Sequence, residues 1–227
     1  MLTDAFDFVL PAELVALRPV EPRDQARLLV VHPDGRLEHR FFHELGDYLR
    51  RGDVLALNDS RVIPARLNAR RPPRQADGPP VAVEITLHKR SGPGHFLAFV
   101  KPAKRLQPGD RLELGAGLAA RVESRGEGGE GELAGDRQGA ALDAAIAQAG
   151  VMPLPPYIAK RRAPDAQDQA DYQTVYARQD GSVAAPTAGL HFTPQMMARL
   201  AGQGVGLAAM TLHVGAGTFL PVKTDVV

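Results

Sequence analysis

Val81-Ala82-Val83-Glu84-Ile85-Thr86-Leu87-His88 alternates branched apolar residues with small or polar ones. A period of two puts Val81, Val83, Ile85 and Leu87 on one face of an extended chain and Glu84, Thr86 and His88 on the other, the pattern of a half-buried β-strand. Outward from this stretch, residues 95–100, 111–114 and 118–123 repeat the grammar, and no convincing helical period interrupts residues 62–125. Short strands at such intervals predict a small barrel or sandwich. Two similar starts, Gly52-Asp53 and Gly109-Asp110, read as turns entering strands, not as repeated domains. The Pro-rich residues 72–80 and the Gly-rich residues 126–139 read as loops.

The flanks have a different character. On the amino-terminal side, residues 28–31 and 36–41 predict a hairpin about His32-Pro33-Asp34-Gly35. A short helix over 43–49 follows, then an apolar strand over 53–57 that ends in Asn58-Asp59-Ser60-Arg61. Polar side chains at the end of a buried strand are where ligands lie in α/β sheets. That singles out Asn58 and Asp59, with a plain polar turn as the alternative. On the carboxyl side, residues 140–149 predict a helix ended by Gly150, and the prolines of 152–158 predict an extended segment before the basic triplet Lys160-Arg161-Arg162.

Residues 171–219 concentrate the chemistry. GSVAAPTAGLHF (181–192) is built of small residues that let a ligand approach the backbone. Thr193 is a good N-cap and Pro194 suits the first helical position, so a helix is expected over 194–201, stopped by Gly202 and Gly204. A loop that feeds a helix N-terminus suits a carboxylate or phosphate. The apolar residues 205–214 predict a strand that empties into His213-Val214-Gly215-Ala216-Gly217-Thr218. Two glycine-bearing turns, each with a histidine, therefore bracket one helix and one strand. On pattern alone, ordinary turns with structural histidines are equally open.

Bulk numbers bound the class. A chain of 227 residues makes one large or two modest domains, at roughly 150 residues each. With 44% hydrophobic and 23% charged residues it can bury a core, and a net charge of +1 neither requires nor excludes nucleic acid. The absence of cysteine rules out disulfides, Cys-based zinc sites, iron–sulfur clusters and thiol nucleophiles, and it fits a reduced compartment. No metal site is expected, since the seven histidines are scattered. Met1-Leu2-Thr3-Asp4 does not open a signal peptide, and no apolar run reaches the ~18 residues of a membrane span. A soluble cytoplasmic protein with no membrane partner is the expectation.

Five stretches occur in an order that carries a resemblance: NDSRVIPAR (58–66), LPPYI (154–158), DYQTVYA (171–177), GSVAAPTAGLHFT (181–193) and TLHVGAGTF (211–219). Together they resemble the S-adenosylmethionine:tRNA ribosyltransferase-isomerase family of queuosine biosynthesis, from Phe6 onward. The resemblance implies an α/β fold with an inserted all-β barrel-like domain, residues 1–66 and 150–227 forming the α/β part and 67–149 the insert. It implies S-adenosylmethionine as co-substrate and a tRNA partner recognised at its anticodon stem-loop, with a monomeric enzyme. The reaction implied is transfer and isomerisation of the ribosyl group onto 7-aminomethyl-7-deazaguanine at the wobble position, giving epoxyqueuosine, with adenine and methionine released. The family continues past Pro221, so the chain is expected to be partial, and residues 127–139 depart from the clearer strand that the family has there.

Roles follow as expectations of that resemblance. The sulfonium acidifies the ribose 5′ carbon, so a base poised near neutrality begins the loss of adenine, and His191 or His213 is the candidate. Tyr172 and Tyr176 offer aromatic faces to the sulfonium, with Tyr172 counted among the catalytic candidates. Thr187, Ala188 and Gly189, or the helix start at Thr193, would hold the methionyl carboxylate. Gly215, Gly217 and Thr218 would give backbone access to ribose or methionine. Arg61, Arg66, Lys160 and Arg161 are the candidate RNA contacts, with Arg70, Arg71, Arg74, Lys101, Lys104 and Arg105 as further cations. Two alternatives stand: an RNA methyltransferase, from Gly215-Ala216-Gly217 without the third glycine of a nucleotide loop, and a non-catalytic RNA-binding module.

Overall fold

The structure, a computed structural model, describes residues 1–219 and 224–225. Strands β1 (Arg27–Val31) and β2 (Leu37–Phe41) form the antiparallel hairpin, and a 3₁₀ segment Phe42–Tyr48 follows. Strands β3 (Val54–Asn58) and β4 (Ser60–Val62) then lead into the β-rich region.

The period-two stretch becomes part of a closed antiparallel barrel. Its strands are β5 (Arg66–Arg71), β6 (Val81–Gly92), β7 (His95–Lys101), β8 (Arg111–Gly115), β9 (Leu118–Arg125) and β10 (Glu130–Gly135), in the order β10-β7-β6-β5-β8-β9. Val81, Val83, Ile85 and Leu87 point inward with Leu67, Leu112, Val122 and Leu133, and Ile85 and Leu112 are completely buried. Each such side chain contributes about 1.5–3 kcal/mol, which is why the alternation is so regular. Helix α1 (Gly139–Ala149) lays Leu142, Ala145 and Ile146 against the barrel interior.

The sixth strand corrects an expectation. Residues 126–139 read as a loop, yet 130–135 are a strand, with Leu133 paired to Phe96 on one side and Val122 on the other. Glycine hides the strand because it has low β-propensity, but here its size is used. A side chain on Gly131 would come within 3.1 Å of the Ser124 carbonyl oxygen.

The remaining elements are α2 (Pro156–Ala159), α3 (Asp168–Asp171), β11 (Gln179–Ser182), a 3₁₀ turn Thr187–His191, α4 (Pro194–Gly202) and β12 (Gly206–Met210). The segment 152–158, expected to be extended throughout, turns helical at its end because Pro156 sits at the first helical position, where its fixed φ is suited. Thr193 caps α4, accepting a hydrogen bond from the Met196 N–H. Met196 and Leu200 of α4 pack with Phe192 and Val205 in a second core.

Parallel pairs tie the two ends of the chain together. β12 runs alongside β3 from Gly206↔Val54 to Met210↔Asn58, and β11 runs alongside β4. Everything from β5 to α3 lies between β4 and its partner β11 in sequence. The fold is thus an α/β part, assembled from both sides of the chain, into which an all-β barrel is inserted.

Candidate functional site

The corner between β3 and β4 is where the sequence expected ligand contacts, and its polar groups are occupied. Asn58 Nδ2 donates to the Leu212 carbonyl (2.8 Å), while its Oδ1 accepts from the Leu212 and Ser60 N–H groups. The Asp59 carboxylate accepts from Thr211 Oγ1 at 2.7 Å. The Ser60 and Ser182 hydroxyls meet at 2.6 Å, and Val214 N–H donates to Ser182. Asn58 and Asp59 therefore stitch the sheet to residues 211–214. Along that seam the imidazole of His213 lies over Gly181, where a Cβ would be 2.7 Å from the ring.

A cleft of about 420 Å³ borders this seam at Arg61, Val62 and Gly181, and two larger ones, neighbours of each other, lie elsewhere. The first, about 550 Å³, is walled by Arg18, Arg23 and Arg27 of the amino-terminal segment, by Tyr157 and Tyr172, and by Thr187 and His191. The second, about 650 Å³, shares Tyr157, Tyr172 and Thr187 and adds Lys160, Arg161 and Thr218. His191, Tyr172 and Thr187 come together here, with Thr218 across the shared wall. His213, Tyr176, Asn58 and Asp59 line neither cleft.

His191 closes the 3₁₀ turn Thr187–His191, and its ring packs against Phe42 at 5.1 Å. Its Nδ1 lies 3.3 Å from the Ala188 carbonyl oxygen, which can only accept. That contact favours the tautomer with the proton on Nδ1 and leaves Nε2 as the basic atom. Gly189 is buried in the same turn because Tyr176 stands over it: a Cβ there would be 2.1 Å from the phenol oxygen. Tyr176 belongs to the α4 core and meets Phe192 edge-on, and burial raises the pKa of its phenol. Burial also raises that of Tyr172, which does face the clefts. The α4 N-terminus already has an acidic neighbour, for Thr193 Oγ1 donates to Asp24 at 3.2 Å. Gly215 precedes the 3₁₀ turn Ala216–Phe219 that holds Gly217 and Thr218, and Thr218 Oγ1 lies 3.4 Å from the Gly215 carbonyl.

Charge is distributed unevenly around the clefts. Asp168, completely buried, takes Arg162 (2.9 Å) and Arg18 (3.0 Å), and Arg18 also reaches Asp171 (3.1 Å) and Asp165. Burial alone would raise the Asp168 pKa; Arg162, the Asp165 N–H and Arg18 outweigh it and hold the carboxyl below its ordinary range. This network fastens residues 16–19 to α3 and leaves Arg18 neutralised. Arg23 instead donates to the carbonyls of Gln173, Leu190 and Ala170, and Arg27 has no partner among the described residues. Lys160 likewise has no partner among them, and Arg161 donates only to the Ala12 carbonyl. Arg61, by contrast, sits 3.4 Å from Asp180, and Arg66 pairs with Glu84. Arg23, Arg27, Lys160 and Arg161 thus bring these two clefts positive charge that is in no ion pair among the described residues.

Sequence reasoning missed Arg18, Arg23, Arg27 and Tyr157. The signal was faint: three arginines interspersed with Pro19 and Pro22, and a tyrosine inside LPPYI. Among the described residues no group of three or more His, Asp or Glu is placed to hold a metal ion, and no helix is long and apolar enough to cross a membrane.

The family model described as "Queuosine biosynthesis protein" matches residues 3–227. The chain belongs to this family. Among its relatives, the S-adenosylmethionine:tRNA ribosyltransferase-isomerase of Caulobacter sp. (strain K31) is 60% identical over 234 residues, covering 98% of this chain and 63% of its own length. The protein of the same name from Methylobacterium sp. (strain 4-46) is 57% identical, over 99% of this chain and 64% of its own. This member of the queuosine biosynthesis family thus spans less than two thirds of those relatives. The crystal structure of the S-adenosylmethionine tRNA ribosyltransferase from Thermotoga maritima is 35% identical, with a TM-score of 0.36, over 92% of this chain and 58% of that one.

Proposed function

We propose that this chain carries the ribosyl-transfer and isomerisation chemistry named by its relatives. It would move the ribosyl group of S-adenosylmethionine onto 7-aminomethyl-7-deazaguanine at the wobble position of tRNA and release adenine and methionine. The observation that carries the reading is family membership across residues 3–227, joined to a cleft where a histidine with a free Nε2 faces tyrosines and uncompensated arginines. His191 is the base in this reading. It withdraws the proton of the ribose 5′ carbon that the sulfonium acidifies. Tyr172 offers its ring to the sulfonium. The methionyl carboxylate meets Arg23 and Arg27, since Asp24 already neighbours the α4 N-terminus. Thr187, on the shared wall, gives a hydroxyl for the ribose. The tRNA enters by its anticodon stem-loop across Lys160 and Arg161, and the enzyme acts as a cytoplasmic monomer. Residues 1–66 and 150–227 form the α/β unit and 67–149 the insert.

The methyltransferase alternative has less support. Gly215-Ala216-Gly217 leads into a 3₁₀ turn, Ala216–Phe219, and lacks the third glycine of a nucleotide loop.

The test uses tRNA bearing the aminomethyl-deazaguanine base and S-adenosylmethionine labelled separately in methyl and ribose, with a full-length relative as positive control. Ribose label in the tRNA with free adenine released is the expected result. Methyl label in the tRNA would overturn it. His191→Gln should lower turnover by about 10²-fold or more, whereas His213→Gln should keep it within a few-fold. The opposite ranking would move the base to the seam.

A further inference from the structure

Tyr157 is 59% exposed, although it is the second residue of α2 and the next, Ile158, is buried. Its ring packs against no other aromatic ring, and its hydroxyl has no hydrogen-bond partner, among the described residues. It stands on the wall shared by the two clefts, beside the half-buried Tyr172. In the second cleft the charged neighbours among the described residues are Lys160 and Arg161, with no carboxylate among them on the lining. Pro155 and Pro156 fix the backbone beneath it, so the ring is presented from a stiff turn.

An exposed aromatic face on a rigid turn, flanked by unneutralised cations, is the arrangement that holds an unstacked base and its phosphate. We propose that Tyr157 is a stacking platform for an unpaired RNA base and that Lys160 receives the adjoining phosphate. The inference rests on the RNA partner assigned above and names where one unpaired nucleotide lies. The flat heteroaromatic chemistry is shared by the adenine of S-adenosylmethionine, which the proposed function seats in the first cleft, whereas the second offers a cation no carboxylate among the described residues. A polyanion is favoured there instead.

The chain contains no tryptophan, so Tyr157→Trp installs a single indole reporter at the platform. An RNA stem-loop should quench its emission, while a fully paired RNA duplex and S-adenosylmethionine alone should not. Tyr157→Ala should weaken stem-loop binding by about tenfold or more, and Tyr157→Phe should retain it, because the ring and not the hydroxyl makes the contact. Lys160→Gln should weaken binding of all RNAs alike and lower the salt slope by about one. Stem-loop affinity unchanged in Tyr157→Ala, or quenching by S-adenosylmethionine alone, would overturn the platform while leaving the RNA partner in place. If the unaltered protein binds no stem-loop at all, the RNA-partner reading itself fails and the platform fails with it.

Discussion

Gly189 shows at the residue scale how tightly the cleft wall is built. Tyr176 leaves no room for a side chain there, and the obstructing atom is the phenol oxygen itself, with Thr174 Cγ2 next at 3.0 Å. Gly189→Ala should therefore destabilise the protein by about 1–3 kcal/mol through overcrowding. Adding Tyr176→Phe removes the nearest clashing atom, so the double variant should recover part of the loss, giving a coupling of about 1 kcal/mol or more in denaturant unfolding. Strict additivity would show that the turn relaxes away from Tyr176. Asp168 is the second critical residue. Removing its charge leaves Arg162 without its carboxylate and Arg18 with only Asp165 and Asp171. Asp168→Asn should cost about 3–5 kcal/mol, the penalty for breaking a buried charge network from one side. The same variant should loosen residues 16–19, which chymotrypsin digestion at Leu17 would report.

At the scale of elements, two strand pairs make opposite predictions. In the barrel, Arg111 of β8 sits directly opposite Arg121 of β9, both exposed and neither in an ion pair among the described residues. Like charges facing each other across a ladder are destabilising, so Arg121→Thr should raise stability by about 0.5 kcal/mol, with a gain that shrinks as salt is added. A loss of stability in low salt would mean that the arginine stem packs on the barrel surface. In the β1–β2 hairpin the charges agree. The hydrogen bond from His32, then that from Arg40, holds the Glu38 pKa down from 4.5 to about 2. A depressed carboxyl contributes stability that is present above its unfolded value and lost as the pH falls from about 4.5 towards 2. Thermal melts across that interval should show the loss, and Glu38→Gln should flatten it.

For the whole molecule, the proposed RNA partner would be met where charge is not neutralised. Arg61, Arg66 and Arg74 spend their charge on Asp180, Glu84 and Asp110, whereas Lys160 has no partner among the described residues. Lys160→Gln should weaken RNA binding several-fold at moderate salt, and Arg61→Gln or Arg66→Gln should leave it nearly unchanged. Equal losses at all three would mean that the carboxylate partners release their arginines on binding. Much of this architecture was written locally. The alternation at Val81–Leu87 determined the barrel wall, Thr193 and Pro194 determined where α4 starts, and His32 to Gly35 determined the hairpin, because each depends on side-chain period or backbone angle within a few residues. The barrel strand at 130–135 escaped, since the need for Gly131 comes from the Ser124 backbone beside it and that for Gly135 from Leu142 of α1. The clefts escaped too. By itself the sequence determined the family, the barrel and the presence of His191, Tyr172 and Lys160. Only the tertiary structure placed His213, Asn58 and Asp59 in a structural seam, and brought Arg23, Arg27 and Tyr157 to the clefts. Those placements arise from contacts across some 150 residues of chain, such as Arg23 with Gln173 and Arg18 with Asp168, which no local pattern encodes.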